Sequence, residues 1–88
     1  MTYKGCKISK LTDDLINNYD LQKLKTDSEK WRVYYKNYDS NWISFYPFSE
    51  YHGGGQSYII QINNFDFENW INENPNFESD IRDLIEKE

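Results

Sequence analysis

The chain has 88 residues, a net charge of −5 and 38% hydrophobic residues, and aromatic residues alone make up 18% of it. This length predicts one domain, residues 1–88, with a single modest core. No run approaches the ~18 apolar residues of a membrane span, and the N-terminus lacks the apolar stretch of a signal peptide, so we expect a cytoplasmic protein. The single cysteine excludes an internal disulfide and a thiolate metal cluster.

The charge is divided unevenly along the chain. Residues 1–38 hold eight Lys/Arg and five Asp/Glu, whereas residues 39–88 hold two Lys/Arg and ten Asp/Glu, which makes the C-terminal half strongly acidic. Such a field attracts basic proteins and repels nucleic acid. The simpler alternative is that the acids only keep the protein in solution.

The first predicted elements are a strand and a helix. The loose alternation of "TYKGCKI" indicates a short strand from Tyr3 to Ile8. Thr12 is a good N-cap, and Leu11 with Ile16 would form a hydrophobic staple around it. We therefore predict a helix from Asp13 to Lys25, with Leu24 continuing its apolar face.

Three strands are predicted next, in "KWRVYYK", "WISFYPF" and "SYIIQIN". Each alternates between two faces, and the second and third are preceded by turn residues or glycines, which favours antiparallel pairing. In the first of them, alternation places Trp31, Val33 and Tyr35 on one face. The other face would carry a basic stripe that includes Arg32 and Lys36.

Two helices complete the chain. Asp66 fits an N-cap, with Phe65 and Trp70 as the flanking staple, and Pro75 should end that helix and start the next one behind Asn74. The last helix shows an apolar stripe at helical spacing, formed by Phe77, Ile81, Leu84 and Ile85. The predicted order is β-α-β-β-β-α-α. It indicates an α+β fold in which a small, mainly antiparallel sheet has its helices packed on one face.

The run "SEYHGGGQS" resembles part of an active site at first sight. A His-Gly-Gly-Gly run can form an oxyanion hole, but the chain has no Gly-x-Ser-x-Gly elbow. No phosphate-loop lysine or calcium-loop spacing is present, and the chain's histidine and cysteine are too few for a metal site, so we predict no cofactor and no metal. Carboxylate pairs such as Glu50 with Asp66 could serve an enzyme, but in so acidic a chain they arise by chance. A plain β-connection explains the glycines best.

Aromatic residues around this run favour a protein-contact surface instead of an enzyme. Tyrosine brings a large contact area at low entropic cost, and complementary charge speeds association with a basic partner. We expect no membrane and no nucleic-acid partner; the oligomeric state stays open. The predicted contacts are Tyr38, Asp39, Tyr46, Glu50, Tyr51 and His52, with Asp66 and Glu68 adding to the acidic field.

In size, acidity, Asn-rich composition and the aromatic stretch "NWISFYPFSEYHGGGQSYIIQI", the chain resembles the small immunity proteins of bacterial toxin–immunity systems, including those of contact-dependent growth inhibition. The resemblance implies a non-enzymatic inhibitor that binds and neutralises a cognate, basic toxin or nuclease domain. Small phage-encoded inhibitors, such as anti-restriction or anti-CRISPR proteins, share these features. A small ligand-binding, carbohydrate-binding or structural domain is the remaining alternative.

Overall fold

A computed structural model describes residues 1–48 and 56–87, and in them six strands and three helices form one antiparallel sheet with helices on it. The sheet order is β1-β2-β6-β5-β4-β3, and each neighbouring pair is antiparallel. The predicted α+β class is confirmed. The elements are β1 (Thr2–Tyr3), β2 (Cys6–Lys10), α1 (Asp13–Asn18), β3 (Gln22–Asp27), β4 (Arg32–Lys36), β5 (Asn41–Phe45), β6 (Tyr58–Gln61), α2 (Phe67–Glu73) and α3 (Phe77–Glu86).

The predicted first helix is too long. It begins as expected, with the Thr12 hydroxyl accepting a hydrogen bond from the Leu15 N–H, but it ends at Asn18. Asp20 takes a left-handed backbone with φ of 52°, and Leu21 turns into the core. The residues that follow pair with β4 as strand β3 and leave Leu24 at an irregularity in that pairing, 47% exposed. Cross-strand pairing therefore overrides the helical propensity of this segment.

The predicted N-terminal strand is in fact a hairpin of two strands. Lys4 and Gly5 have positive φ angles of 50° and 82°, which turn the chain back so that β1 pairs with β2. Glycine reaches such angles without steric cost, whereas lysine is uncommon there. The observed element order thus has two more strands than predicted.

The prediction that all helices pack on one face is wrong. Strand alternation sends Phe45 and Ile60 to the face covered by α2 and α3, and it sends Trp42 and Ile59 to the opposite face. Helix α1 packs on that second face, where its Leu15 and neighbouring apolar side chains cover Trp42 and Ile59. Both faces of the central strands are therefore buried, and this explains why Trp42 and Ser44 are almost as inaccessible as Ile43 and Phe45, which point to the other face.

Helices α2 and α3 meet at a different point from the predicted one. Asp66 caps α2 as expected, since its carboxylate accepts from the Asn69 N–H at 3.2 Å. Asn74, however, closes α2 by donating its Nδ2–H to the Trp70 carbonyl at 2.9 Å, and α3 begins at Phe77. The Phe77 and Ile81 side chains are fully buried, as the apolar stripe predicts.

Arg32 was expected to form a basic stripe with Lys36, but the structure buries it and takes it out of any such surface. Its side chain is buried beneath α3, where Nη2 donates to the Glu78 carboxylate at 2.6 Å and the guanidinium lies 5.0 Å from the centre of the Phe77 ring. A buried charge requires such a partner, so this ion pair fixes β4 against α3. Within residues 1–48 and 56–87, no helix is long and apolar enough to cross a membrane.

Candidate functional site

The connections at one end of the sheet form a surface that we call the Tyr38 end. It comprises the β4–β5 turn (37–40), the link from α1 to β3 (19–21), and the link from β6 to α2 (63–66). Asn41 joins two of these segments, because its Nδ2–H donates to the Phe65 carbonyl at 2.9 Å. The β1–β2 turn lies at the same end, since β2 runs antiparallel to β6.

The β4–β5 turn is held rigidly by the side chain of Asn37. Its Oδ1 accepts from the N–H groups of Asp39 at 3.0 Å and Ser40 at 2.7 Å, while its Nδ2–H donates to the Tyr19 carbonyl at 2.9 Å. Asparagine commonly closes turns in this way. The Ser40 Oγ also accepts from Gln61 Nε2 at 2.8 Å. The turn is thereby tied both to α1 and to β6.

Two aromatic rings project from this fixed scaffold. Tyr38, in the middle of the turn, is 95% exposed, and Phe65, just before α2, is 56% exposed. Large exposed rings on an ordered backbone offer a ready contact area to another protein surface. Because the backbone is already ordered, covering these rings would cost little further conformational entropy.

Three surface pockets open at the Tyr38 end. A pocket of about 260 Å³ lies beside the Tyr38 ring, and pockets of about 260 and 360 Å³ flank Phe65. They are at or below the small end of the ~300–1,000 Å³ typical of sites for drug-sized ligands, and they suit single side chains better. The first is lined by Asp20, Gln22, Lys36, Asn37 and Tyr38; the second by Lys4, Cys6, Phe65, Trp70, Glu73 and Asn74; the third by Asn63, Asn64 and Phe65.

Acidic residues dominate the charge of this end. The carboxylates of Asp20, Asp39, Asp66, Glu68 and Glu73 lie there, against the ammonium groups of Lys4, Lys36 and Lys7, the last of which donates to the Tyr19 hydroxyl at 3.4 Å. The adjoining helices reinforce the field, because residues 66–87 hold seven Asp/Glu and two Lys/Arg. The Tyr38 end therefore combines exposed aromatic rings with a negative potential.

The structure gathers four of the predicted contacts at this end. Tyr38 and Asp39 lie in the turn, Asp66 caps α2, and Glu68 is exposed in the first turn of α2. Tyr46 lies at the opposite end of β5, so one partner surface of the Tyr38 end does not include it. Glu50, Tyr51 and His52, with the glycine run, lie outside the described residues.

Tyr46 instead belongs to a second aromatic surface, which we call the Trp31 end. The Trp31 and Tyr46 rings meet edge to face with their centroids 6.2 Å apart, and Trp31 is 49% exposed. Burial, together with the charge of Tyr46, raises the pKa of Tyr35. Trp31 is absent from the predicted contacts, because alternation alone made it resemble a core residue.

The backbone at Trp31 is also unusual. Its φ is 58°, in the left-handed region that bulky residues rarely occupy. The preceding turn is closed by the Asp27 carboxylate, which accepts from the Lys30 N–H at 3.2 Å. The motif "DSEK" before an aromatic residue is a turn signal of this kind, and it is the sequence feature that could have separated Trp31 from the strand.

Two titratable groups elsewhere, Tyr3 and Cys6, are held in their protonated forms. Burial and a hydrogen bond to Asp80 raise the pKa of Tyr3 to about 12; the Tyr3 hydroxyl donates to Asp80 Oδ2 at 2.8 Å. Burial also raises the pKa of the Cys6 thiol, so the unreactive thiol form predominates near neutral pH. Among the described residues, no group of three or more His, Cys, Asp or Glu side chains could hold a metal ion.

Comparison with known proteins adds no relative. No family model, no curated protein and no solved structure matches the chain. The functional argument therefore depends on the surfaces described above.

Proposed function

We propose that this protein is a non-enzymatic inhibitor, an immunity protein, which binds a basic toxin or nuclease domain through the Tyr38 end. The observation that carries the proposal is Tyr38 itself, 95% exposed on a turn that Asn37 holds in place. The surrounding carboxylates supply the charge complementarity that a basic partner needs. A phage-encoded inhibitor would use the same surface, and the identity of the partner separates the two.

The energetics are consistent with Tyr38 as a binding hot spot. Covering an aromatic ring removes ~150–250 Å² of surface from water, worth about 4–6 kcal/mol before the costs of association. Alanine replacement at such hot spots costs about 2 kcal/mol or more. Acidic side chains at the rim contribute mainly to the association rate, which should fall as salt rises.

The location follows from the proposed partner. A cytoplasmic inhibitor would meet its toxin where nucleic acid and other cellular targets are found. The free, buried Cys6 is compatible with a reducing compartment.

The test is a co-purification from cells that carry the native flanking genes, followed by affinity measurement with the purified partner. We expect one stoichiometric basic protein to be retained, and we expect Tyr38→Ala to weaken it about 30-fold or more. Trp31→Ala is the matched control, because it removes an exposed ring at the other end; it should change the affinity less than about threefold. If nothing is retained at low and moderate salt, the proposal is wrong.

A further inference from the structure

The pocket beside Tyr38 contains several polar groups that have no partner within the protein. In residues 1–48 and 56–87, the side chains of Asp20, Gln22, Lys36 and Tyr38 make no hydrogen bond or ion pair. Asn37, the fifth lining residue, is different, because both its oxygen and its amide nitrogen already serve the turn. The pocket thus has a rigid base and free groups around it.

Asp20 is placed in the pocket by the end of α1. Its backbone φ of 52° is a left-handed conformation that Asp tolerates better than most residues, and its N–H donates to the Asn17 carbonyl at 3.3 Å. The next residue, Leu21, is buried and donates its N–H to the Ile16 carbonyl at 3.0 Å. The backbone that carries the Asp20 carboxylate is therefore fixed beside the pocket.

The free groups match one kind of ligand better than others. A tyrosine face attracts a cation by a cation–π interaction, and a planar guanidinium can lie on it while its N–H groups reach a carboxylate. Asp20 offers that carboxylate, and the Gln22 amide offers a further acceptor. Lys36 contributes one opposing positive charge, which Asp20 and the neighbouring Asp39 outnumber.

We propose that the Tyr38 pocket receives an arginine side chain of the partner, with its guanidinium on the Tyr38 ring and its N–H groups donated to Asp20. This inference rests on the proposed function and specifies which side chain of the partner contacts the pocket. The pocket volume of about 260 Å³ suits one long side chain. Arginine is also among the residues most enriched at interface hot spots.

The inference can be tested without knowing the partner. Uniformly ¹⁵N-labelled protein is titrated with N-acetyl-arginine amide, and backbone amide shifts are followed by NMR. The control ligand is N-acetyl-citrulline amide, which has almost the same shape but no charge. We expect saturable shifts centred on Asp20, Gln22, Asn37 and Tyr38 with the arginine ligand, at least fivefold larger than with citrulline at equal concentration.

Variants locate the binding groups. Asp20→Asn should weaken the arginine ligand at least threefold, and Asn retains the tolerance of a positive φ, so the turn should keep its shape. Tyr38→Ala should weaken it to a similar extent. Asp83→Asn removes an exposed carboxylate on α3 and is the matched control, with no change expected. Equal shifts with citrulline, or shifts centred on α2 and α3, would overturn the inference.

The two proposals can fail separately. If a basic partner is captured and Tyr38→Ala weakens it, but the arginine ligand does not shift the pocket, the protein is an inhibitor whose pocket takes another side chain. If the arginine ligand binds the pocket as expected and no partner is captured, the pocket chemistry holds and the inhibitor role is wrong.

Discussion

The two ends of the sheet both expose aromatic rings, but they differ in charge and in how the rings are held. The Tyr38 end has five carboxylates and three lysines, and Tyr38 is almost fully exposed on a hydrogen-bonded turn. In the rest of the β3–β4 hairpin (23–35), which leads to the Trp31 end, the ratio is reversed, with four Lys/Arg and two Asp/Glu. The Trp31 ring there packs edge to face against Tyr46, and the Trp31 backbone is strained.

This difference shows that exposure alone does not define a binding surface. Trp31 is half covered by contacts within the protein, and its ring would lose only part of its water on binding. Tyr38 has nearly its whole ring left to bury, on a backbone that needs no reordering. For a basic partner, the charge favours the same end. The predictions below test separately how each end is built and what it does.

The largest expected effect on stability comes from the ion pair between Arg32 and Glu78, next to the Trp31 end. Glu78→Ala leaves the buried Arg32 guanidinium without its carboxylate, and we expect the free energy of unfolding to fall by about 3 kcal/mol, measured by urea denaturation. Glu86→Ala is the control, because its pair with Arg82 is exposed and at 3.3 Å. That change should stay within about 0.5 kcal/mol. Equal losses in both variants would mean that burial does not strengthen the Arg32 pair.

The next effect concerns the turn at the Tyr38 end. Asn37→Ala removes the side-chain bonds to Asp39, Ser40 and Tyr19, and we expect a loss of about 2 kcal/mol in the free energy of unfolding. Partner affinity should fall as well, because the turn no longer holds Tyr38.

Asn72→Ala, at an exposed site on α2, is the control for Asn37 and should leave both stability and affinity unchanged. If Asn37→Ala lowers stability and leaves the affinity intact, the rigid turn is not part of the binding surface.

A smaller effect is expected from relieving strain at the Trp31 end. Glycine reaches a φ of 58° without the ~1–2 kcal/mol that an L-residue loses there. Both Trp31→Gly and Trp31→Ala lose the contact with Tyr46, so their difference isolates the backbone. We expect the glycine variant to be more stable by about 1 kcal/mol in thermal or urea unfolding. A more stable alanine variant would show that Trp31 does not hold this backbone in solution.

The last effect appears only at alkaline pH and comes from the burial of Tyr3 and from its hydrogen bond to Asp80. The pKa of Tyr3 is about 12 in the folded protein against 10.0 for the unperturbed group, so the folded state keeps this proton longer. Its stabilising contribution is complete below pH 10 and is lost as the pH rises from 10 towards 12. The free energy of unfolding of wild type should fall over that range relative to that of Tyr3→Phe. Parallel curves for Tyr3→Phe and wild type would contradict the burial of Tyr3 beside Asp80.

Much of the fold could be predicted because its signals are local. Strict alternation identified the faces of β5 and β6, and capping side chains marked the starts of α1 and α2. Prediction from local sequence patterns failed where the structure of a segment depends on residues far away in the sequence. The residues of β3 have helical propensity and become a strand only because β4 pairs with them. Arg32 is buried only because Glu78, 46 residues later, meets it.

The candidate site was predictable in part for the same reason. Turn residues are exposed wherever the turn lies, so Tyr38 and Asp39 could be identified from the sequence. That Tyr38 and Asp39 lie near Asp20 and Phe65 depends on tertiary packing, which a local sequence pattern cannot predict. Tyr46 was grouped with them because it is close in sequence, although a strand of five residues carries it about 16 Å away along the sheet.

The central claim is that the Tyr38 end is the binding surface, and one measurement tests it most directly. The affinity of the co-purified partner is measured for wild type, Tyr38→Ala and Trp31→Ala, after circular dichroism has shown that all three are folded. We predict a loss of about 30-fold or more for Tyr38→Ala and less than threefold for Trp31→Ala. The reverse result, an intact Tyr38→Ala complex with Trp31→Ala impaired, would contradict the claim and move the binding surface to the Trp31 end.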